Sequence, residues 1–151
     1  MRVVSREQMY QALFDFWSKP SDPDQKAMIV TSGRRLRTWS EVPANEQPAI
    51  FQTQGVERPM GSQVIGLPQA WECRLDLVVY TNCGDDVNIV PTTQMNGVLD
   101  YLENLFPISG SPQTLGDIVR EVRIAQSGIK TDEGALGSQA VAIVPLRIVT
   151  L

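Results

Sequence analysis

Two pairs of adjacent acidic residues are the first places in this sequence where chemistry could occur. Asp85-Asp86 and Asp132-Glu133 both lie in polar stretches that contain glycine, which predicts loops. Paired carboxylates can bind a divalent cation, but the regularly spaced oxygen ligands of a calcium-binding loop are missing around both pairs. We therefore interpret both pairs as solvated surface, and we expect the protein to hold no metal and no other cofactor.

The sequence contains no histidine, and this absence excludes several classes of enzyme. Catalytic triads use histidine to move a proton, and zinc sites of the Cys/His type use it as a ligand. The cysteines, Cys73 and Cys83, lie ten residues apart and match no metal or redox spacing. A disulfide between them stays open, although the cysteine usage is more typical of a reducing cytoplasm with free thiols. Glycine-rich loops that bind nucleotide phosphates are also missing, so we predict that the protein is not an enzyme.

A cluster of arginines ahead of a tryptophan predicts recognition of another protein. Arg34, Arg35 and Arg37 precede Trp39 in an otherwise polar segment. Arginine and tryptophan are enriched among the residues that dominate affinity at protein interfaces. The residues leave open the alternative of a tryptophan packed against its own domain among solvated arginines. A platform for single-stranded nucleic acid would use the same residue types, but the net charge of −4, from 17 acidic and 13 basic residues, argues against it.

Two amphipathic helices are predicted from the spacing of apolar residues. Ser5 and Gln8 form a capping box at the start of the first helix, and Pro20 follows its end. The second helix is predicted over residues 92–105, directly after Pro91. The apolar stripes consist of Met9, Leu13, Phe16 and Trp17 in the first helix and of Met95, Val98, Leu99, Leu102, Leu105 and Phe106 in the second.

The strands complete the predicted fold. Residues 71–80 alternate between apolar and polar side chains, which is typical of a half-buried antiparallel strand. Residues 139–149 are apolar on both faces, so this strand is expected to lie centrally in a sheet or to meet a partner chain. Shorter strands are predicted at 27–31, 48–54 and 119–127, with a long connection at 55–68 and an acidic loop at 128–137. Together these elements predict a single α+β domain over residues 1–151, in which a mainly antiparallel sheet carries two helices packed on one face.

Two segments of the chain are similar to parts of known virion proteins. Residues 34–43 (RRLRTWSEVP), continuing into 47–51 (QPAIF), resemble a stretch found in small structural proteins of tailed bacteriophages. Residues 131–146 (TDEGALGSQAVAIVPL) resemble the last hairpin of phage tail terminators of the lambda type. In that family an acidic turn with small residues leads into a final apolar strand. The family's order of elements, a helix, a meander, a helix and a closing hairpin, also resembles the order predicted here.

The resemblance implies a structural function. Tail terminators form a ring, commonly of six copies, at the head-proximal end of the tail tube, where the ring stops tube polymerisation and provides the surface that joins the head. Expected partners are therefore further copies of this chain in a hexameric ring, the major tail tube protein, and a head-completion or connector protein. Genomic DNA would pass through the lumen without specific binding, which suits an acidic chain. The expected location is the virion, after assembly in the host cytoplasm and without a membrane.

Candidate interface residues follow from the arginine and tryptophan cluster and from the resemblance. The long connection at 55–68 and the last strand at 139–149, which is apolar on both faces, are the expected places of subunit and tube contacts. The candidates are Arg34, Arg35, Arg37, Trp39, Met60, Val64, Ile65, Asp132 and Glu133. The alternatives are another neck component, such as a tail-completion or head–tail connector protein, and a small nucleic-acid-binding accessory protein or enzyme.

Overall fold

A mostly antiparallel sheet with helices on one face makes up the fold, in a computed structural model that describes residues 2–26, 28–61 and 64–151. Within these residues the helices are α1 (Arg6–Ser18), α2 (Pro23–Lys26) and α3 (Thr92–Leu105), and short 3₁₀ turns lie at Trp39–Glu41 and Ala44–Glu46. The strands are β1 (Thr31–Gly33), β2 (Ala49–Pro59), β3 (Trp71–Asn82), β4 (Val119–Ile124), β5 (Lys130–Leu136) and β6 (Gln139–Thr150).

The strand order confirms the predicted α+β class and the mainly antiparallel sheet. The order is β1-β2-β3-β6-β4, and β5 pairs with β6 as well. The pairing of β1 with β2 is parallel, and the others are antiparallel. β3 pairs along the whole length of β6, so β4 and β5 share the opposite edge of β6. The last strand therefore lies inside the sheet, as its two apolar faces predict.

The inner face of the sheet packs against α1 and α3. The capping box at the start of α1 is present, since Ser5 Oγ accepts a hydrogen bond from the Gln8 backbone N–H over 3.2 Å and Gln8 Oε1 accepts one from Ser5 N–H over 3.1 Å. One buried cluster joins Met9, Tyr10, Leu13 and Trp17 of α1, Met95, Val98, Tyr101 and Leu102 of α3, and Cys73, Leu75, Leu77 and Val79 of β3. Each fully buried aliphatic side chain of this kind stabilises the fold by about 1.5–3 kcal/mol.

The outer face of the sheet has an apolar half and a charged half. Strand pairing brings Phe51 of β2 beside Val78 of β3, and Val78 beside Ile143 of β6. Segment 34–47 folds over part of this apolar half, and Val42 is buried there in a second, smaller apolar cluster. Further along β3 and β6, and on the neighbouring β4, the outward side chains include Glu72, Arg74, Glu121, Arg123 and Arg147.

The structure corrects the predicted acidic loop at 128–137. These residues include β5, an edge strand that pairs with β6, so Asp132 and Glu133 lie on a strand and not in a turn. Charged residues are compatible with this position because an edge strand leaves one side open to water. Sequence periodicity missed β5 because its partner, and not its own apolar pattern, determines the pairing.

The boundaries of other strands also differ from the prediction. β2 continues to Pro59 and does not end at Gln54, because a register shift between Gln54 and Glu57 accommodates Gly55 without ending the pairing. A Cβ atom on Gly55 would lie 2.8 Å from the Arg74 carbonyl oxygen, so glycine is required there. β4 ends at Ile124, before the predicted 127, and β1 begins at Thr31, whereas the predicted 27–31 strand includes Ala27, which lies outside the described residues.

Among the helices of the described residues, none has the length and apolar character needed to cross a membrane.

Candidate protein-docking surface

A groove lies open on the apolar half of the outer sheet face, beside β5. Val141 and Ile143 of β6, together with Tyr80 of β3 and Trp39, supply its apolar lining, and its volume is about 350 Å³. Lys130 lies opposite Ile143, and Asp132 opposite Val141, in the pairing of β5 with β6. Directly opposed residues present their side chains on the same face of a sheet. Both charged residues therefore line the rim of an otherwise apolar groove, which we call the outer-face groove.

The segment that carries Trp39 is held in place by hydrogen bonds on both sides of it. The Tyr80 hydroxyl donates to the Arg37 carbonyl oxygen over 2.9 Å, and the Arg37 guanidinium donates to the Glu41 carbonyl oxygen over 2.6 Å. Glu41 accepts a hydrogen bond from the Thr38 backbone N–H over 2.9 Å, and this bond lowers the pKa of the Glu41 carboxyl. Trp39 itself remains 47% exposed. The segment thus presents a large aromatic side chain to solvent from a fixed backbone.

The three candidate arginines do not form one patch. Arg34 turns towards α1, where its guanidinium pairs with Glu7 at 2.5 Å, and the pKa of the Glu7 carboxyl is lowered by that hydrogen bond. Arg37 pairs with Glu46 at 2.9 Å on the side of Trp39. Arg35 is exposed. Only Arg37 of the three therefore contributes to the groove region, and it does so by supporting the segment that carries Trp39.

The candidate residues Met60, Val64 and Ile65 lie in the connection between β2 and β3, whose residues 64–68 we call the β2–β3 tip. Met60 is half-buried, and its backbone N–H donates to the Ala70 carbonyl oxygen over 2.9 Å. At the tip, the backbone N–H of Leu67 donates to the Val64 carbonyl oxygen over 3.2 Å. Val64, Ile65 and Leu67 are 57%, 102% and 66% exposed. The connection therefore closes at its base and displays three apolar side chains beyond it.

A third exposed apolar surface follows β3 at its other end. Val87, Ile89 and Val90 are all exposed, Val87 most of all at 94%. Their loop is held near the turn between β5 and β6, because the Cys83 backbone N–H donates to the Ser138 carbonyl oxygen over 2.9 Å. We call residues 87–90 the β3–α3 loop patch.

Asp132 and Glu133 have different surroundings. Asp132 is exposed at the rim of the outer-face groove. Glu133 accepts a hydrogen bond from the Thr92 hydroxyl, which ties β5 to the first turn of α3. Within residues 2–26, 28–61 and 64–151, no three histidine, cysteine or acidic residues are grouped so that they could hold a metal ion. Cys73 is buried and Cys83 half-buried, and both thiols are free.

A ladder of ion pairs covers the charged half of the outer face. Arg147 of β6 contacts Glu72 of β3 at 2.7 Å and Glu121 of β4 at 2.8 Å. Arg74 pairs with Glu72 at 3.1 Å, and Arg123 pairs with Glu121 at 3.0 Å. The hydrogen bond from Arg147 lowers the pKa of the Glu72 carboxyl despite its partial burial. Every charge of the ladder has a partner within the chain, so this half is less suited to bind another molecule than the groove.

The alternation of residues 71–80 predicted a polar face on β3, but it did not reveal the ladder. The signal that could have revealed it is the Glu-x-Arg pattern of 72–74, which recurs at 121–123 in β4. When a strand with one outward arginine lies between two strands that carry this pattern, the arginine can form ion pairs with the glutamates of both.

No protein-family model matches the sequence, and no curated protein is significantly similar to it.

Alanine at position 39 should separate docking from folding. Trp39 is about half exposed, so Trp39→Ala should change the free energy of unfolding by less than about 1 kcal/mol, close to the range of surface substitutions. If the groove is an interface, the same change should weaken self-association at least tenfold, because tryptophan dominates many interfaces. Denaturant unfolding and sedimentation velocity measure the two quantities.

Leu36 provides the matched control for this prediction. It is also 47% exposed and lies in the same segment, but it does not line the groove. Leu36→Ala should leave both folding and association unchanged. Loss of the folded circular dichroism signal in Trp39→Ala would show that the tryptophan belongs to the core of its own domain.

Proposed function

We propose that this protein is a structural component of a tailed-phage virion. In this function it forms a homo-oligomeric ring that caps the head-proximal end of the tail tube, ends tube polymerisation and presents the surface to which the head is joined. The observation that carries the proposal is that the described residues include three separate exposed apolar surfaces: the outer-face groove, the β2–β3 tip and the β3–α3 loop patch.

Three separate surfaces suit a ring subunit that also has an external partner. A head-to-tail ring uses two different surfaces of each subunit, because every copy contacts one neighbour with each. A third surface is then left for a protein that lies above or below the ring. Exposed apolar patches commonly mark protein interfaces, because leaving them in water is unfavourable.

The charges of the chain are compatible with a ring through which DNA passes. The net charge is −4, and proteins that hold DNA do so mainly by neutralising phosphates with basic residues. Of the basic residues on the outer face, Arg74, Arg123 and Arg147 are engaged in the ion-pair ladder. Paired charges of this kind are compatible with a ring that does not retain DNA.

Growth of tail tubes in the presence of the purified protein tests the proposal. Tube protein that polymerises alone should give tubes of variable length, whereas addition of this chain should shorten them and place a ring at one end, as seen by negative-stain electron microscopy. Growth to the same lengths, with no ring at either end, would contradict the proposal. Binding to a head connector without an effect on tube growth would indicate a different neck component.

Val87→Asp provides a variant for the same experiment. Val87 is 94% exposed, so the change should leave the fold and the ring intact. If the β3–α3 loop patch contacts the tube protein or the head-side partner, rings of this variant should lose one of these two contacts and keep the other.

A further inference from the structure

We propose that the β2–β3 tip of one copy of this chain docks in the outer-face groove of the next copy. The inference rests on the proposed ring and names the contact that would build it. The occupant of the groove is thus a second copy of this chain.

The tip presents exposed apolar side chains at the end of a closed turn, and we call Ile65 and Leu67 together the plug. Ile65 is fully exposed and Leu67 is two-thirds exposed, so both side chains project away from the body of the domain. Gly66, between them, has a φ angle of +87°, a conformation that L side chains rarely adopt, and it turns the backbone at that point. The base of the connection is closed by hydrogen bonds from Met60 and Gln69 to the Ala70 carbonyl oxygen. A turn that is closed in this way loses less conformational entropy on docking than an open loop would lose.

The groove cannot be filled by the tip of its own chain. The tip precedes Trp71 at the start of β3, whereas the groove is lined by Tyr80 near the end of that strand. Nine residues of extended strand span roughly 30 Å, because a strand rises about 3.3 Å per residue. Because the tip lies beyond one end of β3 and the groove lies near the other end, we expect the tip to reach only the groove of a different copy of the chain. Contacts of that kind are heterologous and close into a ring when the rotation between copies permits it.

The charges beside the two surfaces are complementary. Arg58 lies near the end of β2, at the base of the tip, and Asp132 lies at the rim of the groove. Both side chains are exposed, and among the described residues neither forms an ion pair within the chain. The other charge at the rim, Lys130, lies close to Asp76, where its positive charge opposes the rise in the pKa of the Asp76 carboxyl that burial causes. Asp132 is thus the rim charge left for Arg58 of a neighbour.

Mixing two variants tests the contact. Ile65→Asp puts a charge on the plug and leaves the groove intact, whereas Trp39→Asp puts a charge in the groove and leaves the plug intact. Each variant alone should sediment as a monomer at concentrations where the wild-type chain forms its ring. A mixture of the two should give a complex of one copy of each. In this complex the intact tip of Trp39→Asp docks in the intact groove of Ile65→Asp, and the altered tip and altered groove cannot bind further copies.

Charge reversal gives a second measurement. Arg58→Asp and Asp132→Arg should each weaken self-association at least fivefold, and the double variant should recover most of the wild-type affinity. Val87→Asp is the matched control for Ile65→Asp, since it introduces the same charge at another fully exposed apolar position and should leave association unchanged. Circular dichroism of every variant should match that of the wild-type chain.

The outcomes separate this inference from the proposed function. Rings that form and cap tubes with Ile65→Asp in place would overturn the docking of tip into groove and leave the function standing. A mixture without the one-to-one complex, or a charge reversal that is not restored in the double variant, would also overturn it. Wild-type rings that assemble through this contact but leave tube growth unchanged would contradict the function alone.

Discussion

Replacement of Trp17 by alanine is expected to destabilise the fold by about 3–5 kcal/mol, the usual cost of removing a buried tryptophan. Trp17 has no exposed surface, and its indole N–H donates to Gln52 Oε1 over 2.8 Å. The same amide donates through Nε2 to the Tyr10 carbonyl oxygen over 2.9 Å, so Gln52 joins α1 to β2 at two points. The ring of Phe14 packs edge-on against Trp17 with 5.2 Å between the ring centroids. Alanine would leave a cavity and also an unpaired buried amide oxygen.

Denaturant unfolding of two variants would divide this effect into its parts. Trp17→Phe retains most of the apolar volume but leaves Gln52 Oε1 without its donor, which should cost about 1–3 kcal/mol. Trp17→Ala should lose more, because it adds the cavity to the unpaired oxygen. Equal losses in the two variants would show that the hydrogen bond, and not the packing of the ring, dominates the contribution of Trp17.

Replacement of Glu57 by glutamine is expected to destabilise the chain by about 1.5–3 kcal/mol at neutral pH, the range for hydrogen bonds to charged groups. Glu57 accepts hydrogen bonds from the Tyr10 hydroxyl over 2.8 Å, from Arg2 over 2.6 Å and from Arg6 over 2.9 Å. Arg2 also stacks on the Trp71 ring, with 4.6 Å from its guanidinium carbon to the ring centroid. One carboxylate therefore ties the residues before α1, and α1 itself, to the second half of β2, beyond the residues that pair with β1.

The pH dependence of stability should change together with this substitution. Burial alone would raise the pKa of Glu57, but the hydrogen bonds from Tyr10 and Arg6 and the charge of Arg2 outweigh it and hold the pKa below its ordinary value. Because the pKa of Glu57 is lower in the folded chain than in the unfolded chain, the ionised carboxylate stabilises the fold. This stabilisation is fully present above about pH 4.3, the ordinary pKa of glutamate. This contribution is lost as the pH falls through the folded pKa. As the pH falls below about 4.3, the free energy of unfolding should therefore decrease more steeply for the wild-type chain than for Glu57→Gln.

Glu103→Gln is the control for both parts of the Glu57 prediction. Glu103 is exposed on α3, so its replacement should change the free energy of unfolding by no more than about 0.5 kcal/mol. Its pH profile should follow that of the wild-type chain. A Glu57→Gln profile that coincides with both would show that the cluster around Glu57 contributes no net stability.

The helices and the inner face of the sheet could be predicted because their signals are local. The capping box at Ser5 and Gln8 and the apolar spacing from Met9 to Trp17 lie within one helix, and the structure confirms them. The alternation of β3 likewise identifies its buried face, where Cys73, Leu75, Leu77 and Val79 have almost no exposed surface. Trp71 is the exception, since it lies half-buried at the start of the strand under the guanidinium of Arg2.

The outer face could not be predicted, because long-range pairing decides which residues meet there. Asp132 comes opposite Val141 only through the pairing of β5 with β6, and the polar residues of β5 give no strand pattern of their own. Trp39 reaches the same place because a short 3₁₀ segment folds back over β3 and is tied to Tyr80. The sequence therefore predicts the types of residue at the candidate surface, whereas the neighbours of Trp39 depend on the complete sheet.

The ion-pair ladder also has a consequence for how the sheet finds its correct alignment. β6 is apolar on both faces. A shift of its pairing register by one residue would therefore exchange two sets of side chains that are similar in hydrophobicity. Arg147 is the one charged residue between Gln139 and Thr150, and its contacts to Glu72 and Glu121 exist in one alignment only. In a slipped strand the guanidinium would face the helices, where it would be buried without a partner at a high energetic cost. Arg147 thus favours one pairing register of β6 over the others. In this register, Val141 and Ile143 line the groove on the outer face of the sheet.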